Sequence, residues 1–103
     1  MLAATPLPPY YAVIFTSVRT ETDAGYAVTA QRMLDLAAEQ PGYLGEESAR
    51  NEIGITVSYW LDLESIRNWK AHTDHQIAQE LGKSTWYRSY RVRICKVERE
   101  YGL

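Results

Sequence analysis

Residues Gln40-Pro41-Gly42-Tyr43-Leu44-Gly45 separate a stretch of helical periodicity from one that alternates, and this break constrains the fold more than any other feature of the chain. Proline cannot donate the next backbone hydrogen bond of a helix, and glycine accepts the left-handed conformation common just past a helix end. A helix therefore stops here, and Tyr43 and Leu44 restart the chain as a strand.

The flanking patterns supply the other elements. Tyr10 to Arg19 is rich in β-branched and aromatic residues alternating with small or polar ones, which predicts a first strand. From Asp23 to Gln40, Tyr26, Ala30, Met33, Leu34 and Ala37 recur at helical spacing, opposite Gln31, Arg32, Asp35 and Glu39. Leu44 to Arg50 reads as a short, mostly polar strand, and Asn51 to Gly54 supplies residues that permit a reversal. Ile55 to Trp60 alternates cleanly, with Ile55, Val57 and Tyr59 on one face and Thr56, Ser58 and Trp60 on the other.

A second helix is predicted after an Asp62 N-cap, with Glu64 complementing the positive helix end and a stripe of Ile66, Trp69, Thr73, Ile77 and Leu81 running to a stop at Gly82. One further turn over Ser84 to Tyr87 and a last strand from Ser89 to Glu100 complete the pattern.

The order is thus β-α-β-β-α-β, a ferredoxin-like α+β class. Right-handed crossovers then give a four-stranded antiparallel sheet with both helices on one face. The other face is left bare. Ile55, Val57 and Tyr59, or Val13 and Phe15, would form an apolar patch larger than monomers usually expose, so a second copy packed sheet against sheet is the expected partner.

Length and charge bound the rest. At 103 residues the chain is one domain over residues 10–103 behind a flexible N-terminal tail, residues 1–9. That tail is broken by prolines before it can build a signal-peptide core, and no stretch approaches a membrane span. Cys95 is the single cysteine, so no internal disulfide can form and a cytoplasmic location is expected. A net charge of −2 offers no general attraction to phosphate backbones or anionic lipid. The one basic cluster, Arg88, Arg91, Arg93, Lys96 and Arg99, is interleaved with tyrosines. Strand alternation puts Arg91, Arg93, Cys95, Val97 and Arg99 on one face, to be solvated at an edge or paired with the acidic helix surface, rather than forming a nucleic-acid strip.

The aromatic first strand Tyr10-Tyr11-Ala12-Val13-Ile14-Phe15, the Gln40 to Gly45 junction, and Ile55 to Trp60 followed by Ile66-Arg67-Asn68-Trp69-Lys70 resemble the antibiotic biosynthesis monooxygenase domain across nearly the whole chain. The resemblance implies a dimeric α/β barrel. It also implies a range of activities, from cofactor-free oxygenases of aromatic substrates to haem-degrading enzymes. The haem-degrading branch implies a first-strand asparagine, a helix tryptophan and a haem-ligating histidine. Trp69 matches the tryptophan, but Gln79 stands where the histidine is expected and Thr16 and Ser17 where the amide is.

Several residues could carry chemistry. His72 and His75 lie three apart on the second helix, but no third metal ligand accompanies them. His75 is the candidate proton acceptor, since an imidazole titrates near neutrality, and His72 reads as a partly packed surface residue. Trp69 is core, ligand wall or both, and Tyr59 and Trp86 belong to an aromatic interior or interface suited to a planar ligand. Arg50 could anchor a carboxylate or phenolate, against a solvated cation or an ion pair with Glu46 or Glu52. Cys95 reads as a small apolar filler, and no phosphate loop, flavin or nicotinamide fingerprint is present.

Together with the resemblance, these residues imply a homodimeric, cofactor-independent monooxygenase of a small phenol or hydroquinone. His75 would be its base, Trp69 the wall, and Tyr59, Arg50 and Trp86 further substrate contacts. A non-catalytic small-molecule binding or interaction module of the same fold is the alternative, and haem degradation a third reading.

Overall fold

A computed structural model of the chain describes residues 2–23, 25–79 and 86–103, with the side chains of residues 74–79 outside the description. The elements run β1 (Tyr10–Arg19), α1 (Tyr26–Ala38), β2 (Tyr43–Arg50), β3 (Gly54–Trp60), α2 (Leu63–Gln79) and β4 (Tyr87–Val97). They form one four-stranded antiparallel sheet in the order β2-β3-β1-β4. This is the ferredoxin-like arrangement that the periodicities predict.

Local chemistry explains most of the element ends. α1 begins at Tyr26 rather than Asp23, because Gly25 takes a left-handed φ of 73° and no side chain caps the helix. Gly42 has a φ of 86°, and a Cβ there would fall on the Ser65 side chain, so glycine both ends the α1 connection and lets α2 approach the start of β2. β2 pairs from Tyr43, one residue earlier than the alternation suggests, with a bulge at Leu44. Asp62 caps α2 as expected: its Oδ1 accepts the Ser65 backbone N–H at 2.8 Å and the Ser65 hydroxyl at 2.7 Å. β4 ends at Val97, short of the expected Glu100. The expected helix stop at Leu81 and Gly82, and the first half of the extra turn over Ser84 to Tyr87, lie outside the described residues, while Tyr87 already belongs to β4, which begins two residues before the expected Ser89.

Strand register assigns the two faces. Tyr11, Val13, Phe15 and Ser17 of β1 lie across from Trp60, Ser58, Thr56 and Gly54 of β3, and from Lys96, Ile94, Val92 and Tyr90 of β4. This is the helix side, where Ala37, the fully buried Trp60 and Ile66 form the core, with Tyr11, Val13, Tyr43 and Trp69 packed around it. Trp60 spends its indole N–H on Ser58 Oγ at 2.9 Å, which satisfies the one polar atom it buries.

The opposite face carries Tyr10, Ala12, Ile14 and Thr16 of β1, Ile55, Val57 and Tyr59 of β3, and Arg91, Arg93 and Cys95 of β4. Val13 and Phe15 thus do not share an apolar patch with Ile55 and Val57. Arg91 and Arg93 point away from both helices, so they solvate the sheet edge and do not meet the acidic helix surface. Cys95 is exposed rather than a core filler. At one end of this face the chain before β1 is seated: the Ala3 N–H donates to Glu47 Oε2 at 2.9 Å, and Thr5 Oγ1 lies 3.0 Å from both the Tyr10 hydroxyl and Glu100 Oε2. Tyr10 and Ala12 are buried there.

Candidate functional site

The helix side of the sheet holds an aromatic stack that the sequence names only in part. Trp60, at the end of β3, meets Trp69 of α2 with ring centroids 6.1 Å apart and planes 25° apart. The His72 ring then stacks on Trp69 at 5.6 Å and 25°. Helical geometry makes this pair, since residues three apart share a face. Tyr43 closes the other side of Trp60 edge-on at 5.5 Å. The Thr73 hydroxyl turns back to the Trp69 carbonyl at 2.8 Å, leaving the imidazole as the polar group of the stack's outer end.

His72 Nε2 is buried and, among the described residues, has no hydrogen-bond partner. A buried polar atom left unpaired costs free energy that a fold normally avoids, and a donor arriving beside Trp69 would relieve that cost. Glu46, across β2–β3 from Ser58 on the same face, also has a buried, unpartnered Oε2. Burial, and then Glu46, push the Tyr43 hydroxyl above its ordinary pKa, so that phenol stays protonated at neutral pH.

The structure separates the other residues singled out from the sequence. Trp69 joins the stack. Tyr59 lies on the open face, where its hydroxyl donates to Glu47 Oε1 at 2.7 Å and its ring meets Tyr10 edge-on at 5.8 Å. Trp86 is buried against Tyr26, 5.9 Å away, at the base of β4. Arg50 stands at the far end of β2 from Trp60. The seven residues of β3 between these rows span about 20 Å at roughly 3.3 Å per residue. Neither Glu46 nor Glu52 pairs with Arg50; its guanidinium donates to Ser17 Oγ instead. His75 lies on the α2 backbone one turn beyond His72, and its side chain is outside the described residues.

His72 is the residue that sequence reading undervalued. The available signal was its three-residue spacing from Trp69; burial of one ring nitrogen is a tertiary fact. Concavities of about 540 Å³, beside Leu2, Glu46, Glu47 and Ser48, and about 510 Å³, on the outer side of α1 at Val28 and Arg32, are not lined by Trp60, Trp69 or His72.

No family model matches the chain. Among solved structures, it resembles the NE2512 protein of unknown function from Nitrosomonas europaea, with a TM-score of 0.67 at 13% identity, over 92% of this chain and 95% of that one. PA3566 from Pseudomonas aeruginosa gives a TM-score of 0.60 at 14% identity, over 93% and 99% of the two chains. A candidate antibiotic biosynthesis monooxygenase from Chloroflexus aurantiacus J-10-fl gives 0.57 at 17%, over 90% and 97%. These likenesses establish the fold alone: a ferredoxin-like α+β domain.

The family is set by sequence. The chain is 57% identical over 101 residues to the uncharacterized protein YqjZ of Bacillus subtilis (strain 168), covering 96% of this chain and 89% of that protein. It belongs to the family of YqjZ.

Proposed function

We propose that the Trp60–Trp69–His72 stack binds a small planar aromatic and that, with a phenol or hydroquinone, the protein acts as a cofactor-independent monooxygenase. The observation that carries this reading is the buried His72 Nε2, unpartnered among the described residues, on a ring that stacks on Trp69, which in turn stacks on Trp60. The partly buried Trp69 indole, backed by Trp60, supplies an apolar surface for a ring, and the imidazole nitrogen accepts the phenolic proton. Tyr43 cannot take that role while its hydroxyl is held protonated. The resulting electron-rich anion reduces dioxygen directly. A hydroquinone and one dioxygen give a hydroxyquinone and one water, so the substrate supplies all four electrons and one oxygen atom enters the ring.

Binding without turnover is the second reading. It is favoured by the absence, among the described residues of the stack, of a second group able to act as a base. Oxygen uptake with a panel of hydroquinones, read beside tryptophan quenching, separates the two. Uptake that falls more than tenfold in His72→Asn while quenching persists supports the oxygenase, and His75→Ala run in parallel tests the neighbouring imidazole. Quenching with no uptake supports the binding module. No quenching by any aromatic sinks both.

The bare sheet face supports a homodimer. Ile55 is 45% exposed there, beside Ile14 and Val57, and folds of this class commonly pair through such faces. Sedimentation equilibrium of the wild type and an Ile55→Lys variant tests it: a monomer in the wild type counts against the dimer. No helix among the described residues is long and apolar enough to cross a membrane, and a reducing, cytoplasmic setting suits the exposed Cys95 thiol.

A further inference from the structure

Arg50, Gly54, Ser17 and Tyr90 stand in one row across the helix side of the sheet, from β2 through β3 and β1 to β4. The row seats the Arg50 guanidinium over β3. Gly54 is buried, and a Cβ on it would coincide with the Arg50 side chain, so glycine opens the path by which the guanidinium crosses β3. Beyond Gly54 the guanidinium donates to Ser17 Oγ, on a serine only 2% exposed. Surface arginines ordinarily sample many rotamers, and this one is pinned by the strand beneath it and a buried hydroxyl.

The pinned cation is not neutralised. Among the described residues, no carboxylate lies within ion-pair distance of Arg50, and the residue remains exposed. The next strand in the row brings aromatic rings. Phe15 stacks on Tyr90 with centroids 5.5 Å apart and meets Tyr87 edge-on at 5.4 Å, and Tyr87 donates to the Tyr26 hydroxyl at 3.3 Å. Burial pushes the Tyr87 hydroxyl up, and Arg50 and Arg19 both act against that push, which puts both cations within electrostatic reach of this basket. Arg19 lies 3.4 Å over the Tyr26 ring, engages Asp23 and the Thr22 carbonyl at 3.0 Å each, and keeps a buried Nε with no partner.

We propose that this end of the sheet is a binding site for an aromatic carboxylate: Arg50 receives the carboxylate, and the Phe15, Tyr87 and Tyr90 rings receive the aromatic ring. A planar guanidinium matches a carboxylate in two-point geometry, and fixing it in advance removes the entropy that a free arginine loses on binding. The Arg50 row lies about 20 Å along the strands from the Trp60 row, and the site shares no residue with the Trp60–Trp69–His72 stack, so it stands or falls separately from the oxygenase reading.

Titration with benzoate, benzyl alcohol and acetate, followed by calorimetry and by the Tyr87 and Tyr90 ring resonances, tests it. Saturable benzoate binding is expected, at least tenfold tighter than benzyl alcohol, which lacks the charge, and than acetate, which lacks the ring. Arg50→Gln should lose at least tenfold and Tyr90→Leu should weaken binding, whereas Cys95→Ser, on the opposite face of the sheet, should not change it. Should Arg50→Gln fail to fold, Arg50→Lys and Ser17→Ala test the same point, because each keeps the packing and loses the fork or its anchor; each should also weaken benzoate. Failure of benzoate to saturate, equal binding of benzyl alcohol, or benzoate affinity unaltered in the Arg50 variants would overturn the proposal.

Discussion

Tyr59 and Trp60 are adjacent in the chain and serve opposite sides of the sheet. Trp60 is fully buried beneath Trp69, while the Tyr59 hydroxyl donates to Glu47 on the bare face at 2.7 Å. One peptide bond thus separates the helix-side core from the network that seats the chain before β1.

Trp60→Ala should destabilise the protein by about 3–5 kcal/mol, the range for removing a large buried aromatic. The loss combines the transfer of the indole with a cavity between Tyr43 and Trp69 that neither ring can fill from its own backbone. Urea unfolding at neutral pH measures it. A loss below about 1 kcal/mol would mean that the stack is not the centre of the core.

Gly42→Ala should cost about 2–4 kcal/mol, combining left-handed strain with a collision against the Ser65 side chain. Gly25→Ala has the same kind of φ but no atom within 4 Å of the added Cβ, so strain alone should make it cost about 1 kcal/mol. Equal losses in the two variants would show that the approach of α2 to β2 does not depend on Gly42.

Tyr59 and Glu47 set opposite arms of the pH profile. Burial first, and then the hydrogen bond to Glu47, push the Tyr59 hydroxyl up to about 12. A raised folded value means stability fully present below about pH 10 and lost as pH climbs toward 12. Glu47 is held below its ordinary value, first by the Tyr59 hydroxyl and then by the Ala3 N–H. Its contribution is therefore present above about pH 4.5 and lost as pH falls through the lowered folded value. Tyr59→Phe should flatten the alkaline arm and remove one late-titrating tyrosine from the ultraviolet titration. Glu47→Gln should flatten the acid arm, as measured by unfolding midpoints across pH; slopes unchanged in both variants would dissolve the assignment.

The candidate site was only partly legible in the chain. The spacing of Trp69, His72 and His75 puts those residues along one helix, but which imidazole loses its solvent depends on where α2 lands on Trp60. Arg50 looked like one member of an acid-rich hairpin. Its actual partner, Ser17, is 33 positions earlier and becomes a neighbour only when β1 pairs with β3.

The sequence by itself determined the element order, the helix stop at Pro41-Gly42, the Asp62 cap and the alternation of each strand, because these rest on interactions among residues a few positions apart. The tertiary structure alone decided which alternating set meets the helices, putting Val13, Phe15 and Trp60 inside and Ile55, Val57 and Tyr59 outside. Alternation marks two faces on every strand without ranking them; pairing across the sheet ranks them, since a shift of one residue exchanges every side chain between core and solvent. The Gln40 to Gly45 junction takes part in both, ending a helix through local backbone chemistry and, through the missing side chain of Gly42, letting a distant helix close on the sheet.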